Sequence, residues 1–243
     1  IDVEVSELIL ADRLREKGRR IDLAVAHHPE GIAYAKLADV MLMQADIVAK
    51  MGVPINVAEK YTMKRMKEVE RRLMPVNHQR AIDTAKLLGI PFMNIHTPAD
   101  NFVVSFLQQK FDSEKPQTLR DIIELLLSIP EYKISAERGA PPTIVIGTKT
   151  SRAGKIFVDM TGGTEGSREL AEKLSSAGVG TIVAMHMSEE HCKEIEKHNM
   201  NLVIAGHISS DSLGLNLLID TIMKEEKIEI IPCSGFIRVE RNL

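Results

Sequence analysis

Apolar and polar positions along the chain alternate between short β-rich runs and longer stretches of helical period, the pattern that builds a mostly parallel α/β sheet. A first helix is predicted over 4–18, stopped by Gly18, a residue suited to a left-handed C-terminal cap. "IDLAVA" (21–26) is a buried-strand pattern ending on His27-His28-Pro29. Helical period returns over 34–51, 57–74 and 77–89, the last two as a charged hairpin. "IPFMNI" (90–95) predicts a strand that delivers His96, followed by helices near 100–112 and 116–128.

A Pro/Gly-rich break, "ERGAPP" (137–142), precedes a second series. Strands are expected at 143–147, 155–159, 181–185 and 201–206, helices at 165–177, 188–199 and 210–224, and closing strands near 228–231 and 235–240. The two series repeat each other. Asp2, a helix, Gly18 and "IDLAVAHH" align with Asp159, a helix, Gly178 and "GTIVAMHM", which sets His28 opposite or next to His186. "FMNIHTPAD" likewise matches "LVIAGHISSD". The expected fold is therefore α/β: duplicated units with mostly parallel sheets, in two pseudo-symmetric lobes around a cleft. The lobes would be 1–136, with the helical insertion 57–89, and 143–243.

Composition narrows the picture. With no Trp and 4% aromatic residues, the core must be aliphatic, helped by twelve Met. A net charge of −3 and the lack of a basic stripe argue against a nucleic-acid partner. The basic clusters at 13–20 and 64–72 are interleaved with acids and read as solvated helix faces. Cys192 and Cys233 form neither a disulfide framework nor a CxxC pair, which fits reduced thiols in the cytoplasm. No apolar run approaches the ~18 residues of a membrane span, and no signal peptide is visible. Ile1 in place of an initiator Met, followed by a strand-end pattern, predicts a further segment upstream.

Side chains just past the carboxyl ends of parallel strands converge in one crevice. His27, His28, His96 and His207 all follow apolar runs, and Asp100 and Asp211 lie four residues after His96 and His207. Imidazole plus carboxylate suits Zn, Fe or Mn, and six donors exceed what a single catalytic zinc takes from protein, so two divalent ions are expected. Each part also has a structural explanation. Thr97-Pro98-Ala99-Asp100 reads as a capped helix start, and Ser209 or Ser210 is suited to cap the helix carrying Asp211. Capping does not require a histidine four residues earlier, twice. His186 is expected at the same cleft as a substrate contact; His78, His191 and His198 are expected on the surface. "TGGTEGS" (161–167) reads as a tight turn in preference to an anion cradle, and Glu30 as a loop acid in preference to a base.

Taken in order, His27-His28-Pro29, His96-x3-Asp100 and Gly206-His207-x3-Asp211 make the chain resemble the NIF-three-like family (NGG-one-interacting-factor proteins), also labelled GTP cyclohydrolase 1 type 2 homologues. The likeness runs from Asp2 to about Phe236; family members commonly carry Glu where this chain has Asp211, and differ from it over roughly 50–90. The resemblance implies a duplicated α/β fold, a dinuclear metal centre, and ring-shaped homo-oligomers, often hexamers, with sites facing an internal cavity. The cyclohydrolase label implies water attack on a purine C8 and opening of the imidazole ring. Two functions follow as expectations: a metal-dependent hydrolase or cyclohydrolase acting on a nucleotide or related small molecule, and a non-catalytic, metal-stabilised interaction or scaffold protein.

Overall fold

In the computed structural model, which describes residues 1–241, the site rests on two sheets. Strand β1 (Ala24–Ala26) pairs in parallel with β2 (Phe92–Asn94). The larger sheet contains β3 (Thr143–Ile146), β4 (Lys155–Asp159), β5 (Val179–Ala184) and β6 (Asn201–Ile204) in the spatial order β3-β6-β5-β4; β3 alone is antiparallel. The fold is thus α/β with mostly parallel sheets, as the patterning predicts.

Side-chain alternation explains how the larger sheet is buried on both faces. Val158, Val183 and Val203 lie in register and point into one core, packed under α6 (Thr97–Glu114), α7 (Leu119–Leu127) and α8 (Pro130–Glu137). Their neighbours Phe157, Ile182 and Leu202 point the other way, against α3 (Met43–Lys50), α4 (Ile55–Leu73), α9 (Leu170–Ser176) and α10 (Glu189–Lys197). Each such side chain contributes about 1.5–3 kcal/mol on full burial. The small sheet packs separately with α1 (Val5–Glu16) and α5 (Arg80–Leu88) through Leu8, Ala81, Ala85 and Ile90.

Helix α6 crosses α11 (His207–Ile222) closely. Gly214 makes this approach possible: a Cβ there would fall 2.3 Å from the Ala99 carbonyl oxygen. That crossing brings together the helices that carry Asp100 and Asp211.

Several expectations need correction. The helix expected over 34–51 is broken into α2 (Gly31–Ala35), a 3-10 stretch over 37–42, and α3. Helix α9 starts only at Leu170, because the glycine-rich segment before it packs as a loop. Helix α8, begun by Pro130, falls where no helix is expected. The closing strands near 228–231 and 235–240 are absent. The backbone of the second pairs instead with a polar stripe on α11 at i, i+4 and i+8. Ser212 accepts from the Ile237 N–H and Asn216 donates to the Ile237 carbonyl, while Asn216 and Asp220 accept from Val239 and Arg241. A helix face thus satisfies the backbone groups that a neighbouring strand would otherwise have to meet. Among the described residues no helix is long and apolar enough to cross a membrane.

Candidate metal centre

The six sequence-predicted residues converge. His27 and His28 follow β1, His96 follows β2 as the residue before α6, and His207 opens α11. His96/Asp100 and His207/Asp211 are therefore i,i+4 pairs at helix starts, sharing one helix face. Their separations are nearly equal, 3.7 Å from His96 Nε2 to Asp100 Oδ2 and 3.6 Å from His207 Nε2 to Asp211 Oδ2. Neither Asp acts as a cap. Helix α11 begins at His207, so Ser209 and Ser210 lie inside it, each donating to the Gly206 carbonyl, and neither helix has a side-chain cap.

His27 is the pivot. Its Nδ1 lies 2.9 Å from the Ile95 carbonyl, which can only accept, so Nδ1 carries a proton and Nε2 is the atom aimed inward. Nε2 sits 3.4 Å from Asp100 Oδ1 and 3.3 Å from Asp211 Oδ1. His28 Nδ1 donates to Asp2 Oδ1 at 2.6 Å, which turns its Nε2 toward Asp211 Oδ2 and His207 Nε2, each at 3.3 Å. The imidazoles form a chain, with ring centroids of His96–His27, His28–His207 and His207–His186 at 5.0, 5.0 and 4.8 Å.

The donors fit a metal better than they fit each other. Contacts of 3.3–3.7 Å between imidazole nitrogen and carboxylate oxygen are long for charge-assisted hydrogen bonds. They are close to the roughly 3.3 Å separating neighbouring donors on an ion with ligand bonds of about 2.0–2.2 Å. His27 Nε2, Asp100 Oδ1 and both oxygens of Asp211 are buried without a hydrogen-bond partner. Such groups cost about 1–3 kcal/mol each when left unmet, and native structures rarely leave so many together. Two donor sets are compact enough to hold an ion: His27, His96 and Asp100; and His27, His28 and Asp211.

Charge distribution agrees. Burial disfavours charging His27, but Asp100 and Asp211 outweigh it and raise its pKa to about 9. Burial likewise opposes ionisation of Asp211, yet contact with His27 and His28 holds it well below the usual carboxylate range. Burial keeps His96 and His207 below the ordinary histidine value, which favours the neutral, ligating form.

A small cavity opens beside the centre, with His96, Asp100 and His207 on one wall and Asp159, Glu165 and His186 on the other. Glu165 is a residue that sequence reasoning missed. Its carboxylate accepts from the Ser188 N–H at 2.6 Å and lies 3.3 and 3.4 Å from His186 and His191 Nδ1. Burial raises Asp159 to about 6. The glycine-rich loop 161–167 positions Glu165 by close packing: a Cβ on Gly162 would fall 2.5 Å from Gln44, whose amide donates to the Gly162 and Thr164 carbonyls. His191, expected on the surface, is nearly buried and hydrogen-bonded to Ser188 and Gly166. His78 packs edge-on against Tyr34. Glu30 stays outside the cluster, at the start of α2 with its N–H on Asn94.

The chain matches no protein-family model and no curated protein. Among solved structures it is similar to a crystal structure of a NIF3 superfamily protein from Sphaerobacter thermophilus, at 28% identity and a TM-score of 0.77, over 92% of this chain and 81% of that one. In sequence and fold alike, the chain is similar to this NIF3 superfamily protein across nearly its whole length.

Proposed function

We propose that this protein is a hydrolase using a pair of divalent ions, Zn, Fe or Mn, to act on a nucleotide or related small molecule. The observation that carries this reading is the set of partnerless buried donors, His27 Nε2, Asp100 Oδ1 and both Asp211 oxygens, at ligand spacing. His27, His28, His96, Asp100, His207 and Asp211 would hold the ions. Such ions, when bound, supply Lewis-acid activation of water and substrate. The chain's own groups supply the rest. The Ile95 carbonyl and Asp2 orient His27 and His28 by fixing their Nδ1 protons. His207 and His186 are the exposed histidines at the mouth, with 40% and 50% of their side chains accessible, and would meet the substrate. Protein loaded with Zn, Mn or Fe should hydrolyse members of a nucleotide panel, and His96→Ala should abolish that turnover; an inactive loaded protein would refute the reading.

A second reading has its own support. The donors come from 27–28, 96–100 and 207–211, so bound ions would cross-link distant parts of the chain. A purely structural centre predicts that chelation lowers the thermal midpoint or dissociates an oligomer while no substrate is turned over. Homo-oligomerisation is part of both readings, supported by exposed Val25 and Met93, register partners on the small sheet. Sizing with and without chelator tests it.

A further inference from the structure

Behind Glu165 lies a second, larger cavity of about 540 Å³, between the C-terminal half of α4 and the segments leading into α9 and α10. Its volume is within the range of small-molecule sites. Charges on its wall are unevenly satisfied. Arg65 is largely buried; its Nε donates to the Glu165 carbonyl and its guanidinium pairs with Glu68 at 3.0 Å. Glu169 pairs with Lys64, and Glu165 with His186 and His191. Arg71, Arg72 and Arg168 also line the cavity, and among the described residues none has a carboxylate within ion-pair distance. Glu190 is the lining carboxylate without a cation partner. Of four arginines and four glutamates on the wall, Arg71, Arg72 and Arg168 are thus left with unpaired guanidinium groups turned to the same space.

Position adds the second half of the case. Glu165 lines both this cavity and the one beside His96, Asp100 and His207, so the two cavities share this residue. Arg65 and Lys64 clamp α4 onto the loop that carries Glu165, which holds the arginine face of α4 beside that loop. The cluster over 64–72, which reads as solvated in sequence, thus has one side turned into a cavity.

We propose that Arg71, Arg72 and Arg168 form a binding site for the phosphoryl group of a soluble substrate whose reacting end lies across Glu165 at the histidine cluster. Guanidinium forks match phosphate oxygens in a bidentate geometry, and Arg71, Arg72 and Arg168 are exposed to solvent, where a soluble anion can reach them. This deepens the hydrolase reading and rests on it for the claim that the anion belongs to a substrate.

The test is titration of the metal-loaded protein with inorganic phosphate, by calorimetry at low salt. Arg71→Ala/Arg72→Ala/Arg168→Ala should weaken binding by about tenfold or more per arginine engaged, at unchanged metal content and thermal midpoint. Lysine at all three positions should recover part of the affinity. Arg13→Ala/Arg20→Ala, on a remote surface, should change nothing. Equal affinity in the triple alanine variant, or no saturable binding by the wild type, overturns the proposal. If binding survives the arginine changes but is lost in His207→Ala, phosphate sits at the metal donors and the groove assignment falls while the hydrolase reading stands. If the groove binds phosphate but the protein holds no metal, the hydrolase reading falls and takes with it the claim that the anion belongs to a substrate, while the arginine site itself stands.

Discussion

The two repeats end their first site-bearing strands differently. After β1 the chain places His27 and His28; after β5, at the matching positions, it places Met185 and His186. His27 is buried between two carboxylates, whereas Met185 is buried among apolar side chains. The second histidine of each pair is oriented by a carboxylate, but from different sources. Asp2 grips His28, while His186 turns to Glu165 of the glycine-rich loop and away from Asp159, the repeat counterpart of Asp2. The donors thus gather in a single cluster at His27 and His28, with no counterpart at Met185. His186 was left at the mouth. The His–x3–Asp pairs are alike because each is an i,i+4 pair at a helix start, and α6 and α11 pack against each other.

His27→Met writes the second repeat's residue into the first and should produce the largest effect. Both donor sets share His27, so metal affinity should fall by more than the roughly 10–100-fold typical of losing a supporting residue, and two buried carboxylates would be left facing one another. His186→Met, the reverse test, should leave metal content intact and reduce turnover only. Equal metal loss in the two variants would erase the distinction drawn between the repeats.

Gly214→Ala attacks the crossing that joins them. Its Cβ would meet the Ala99 backbone, which cannot rotate away as a side chain can, so α6 and α11 must separate. Overpacking of this kind costs about 1–3 kcal/mol. Calorimetry should show a lower thermal midpoint, with weaker metal binding alongside it.

A pH titration sharpens the contrast more gently. Without metal, pairing of charged His27 with its carboxylates stabilises the fold fully below its ordinary value of 6.5, and that contribution is lost as pH rises through about 9. A metal ion must displace the same proton. Metal-free stability should thus fall between pH 6.5 and 9 while apparent Mn affinity rises. Stability and affinity moving together would contradict the placement of His27.

The smallest effect is expected at Glu165. Glu165→Gln keeps the Ser188 hydrogen bond but removes the charge beside His186 and His191. Metal content should be unchanged and turnover altered, an outcome read from parallel elemental and kinetic assays.

Much of this was legible in the sequence because strand ends and i,i+4 spacing are local. The strands leading to His27, His96 and His207 announce themselves by apolar runs, and the repeat shows that the histidines belong together. What was hidden depends on contacts between segments far apart in the chain. Glu165 looked like part of a turn, because its partners His186 and His191 lie more than twenty residues away. Gly214 matters only through Ala99, on a helix more than a hundred residues away in the chain. The C-terminal segment has strand-like alternation, but its partner is the Ser212/Asn216/Asp220 stripe of a helix. Arg71 and Arg72 sit beside Glu68 and Glu70 in sequence, yet in space Glu68 pairs with Arg65 and neither arginine meets a carboxylate at ion-pair distance.

The most direct test is metal stoichiometry by elemental analysis, after reconstitution and removal of loosely held ions, on the wild type and His27→Met. Two tightly bound ions per wild-type chain, and none in the variant, are the predicted result. A wild type that retains no metal, or a variant that retains as much as the wild type, would contradict the assignment of these residues to a metal centre.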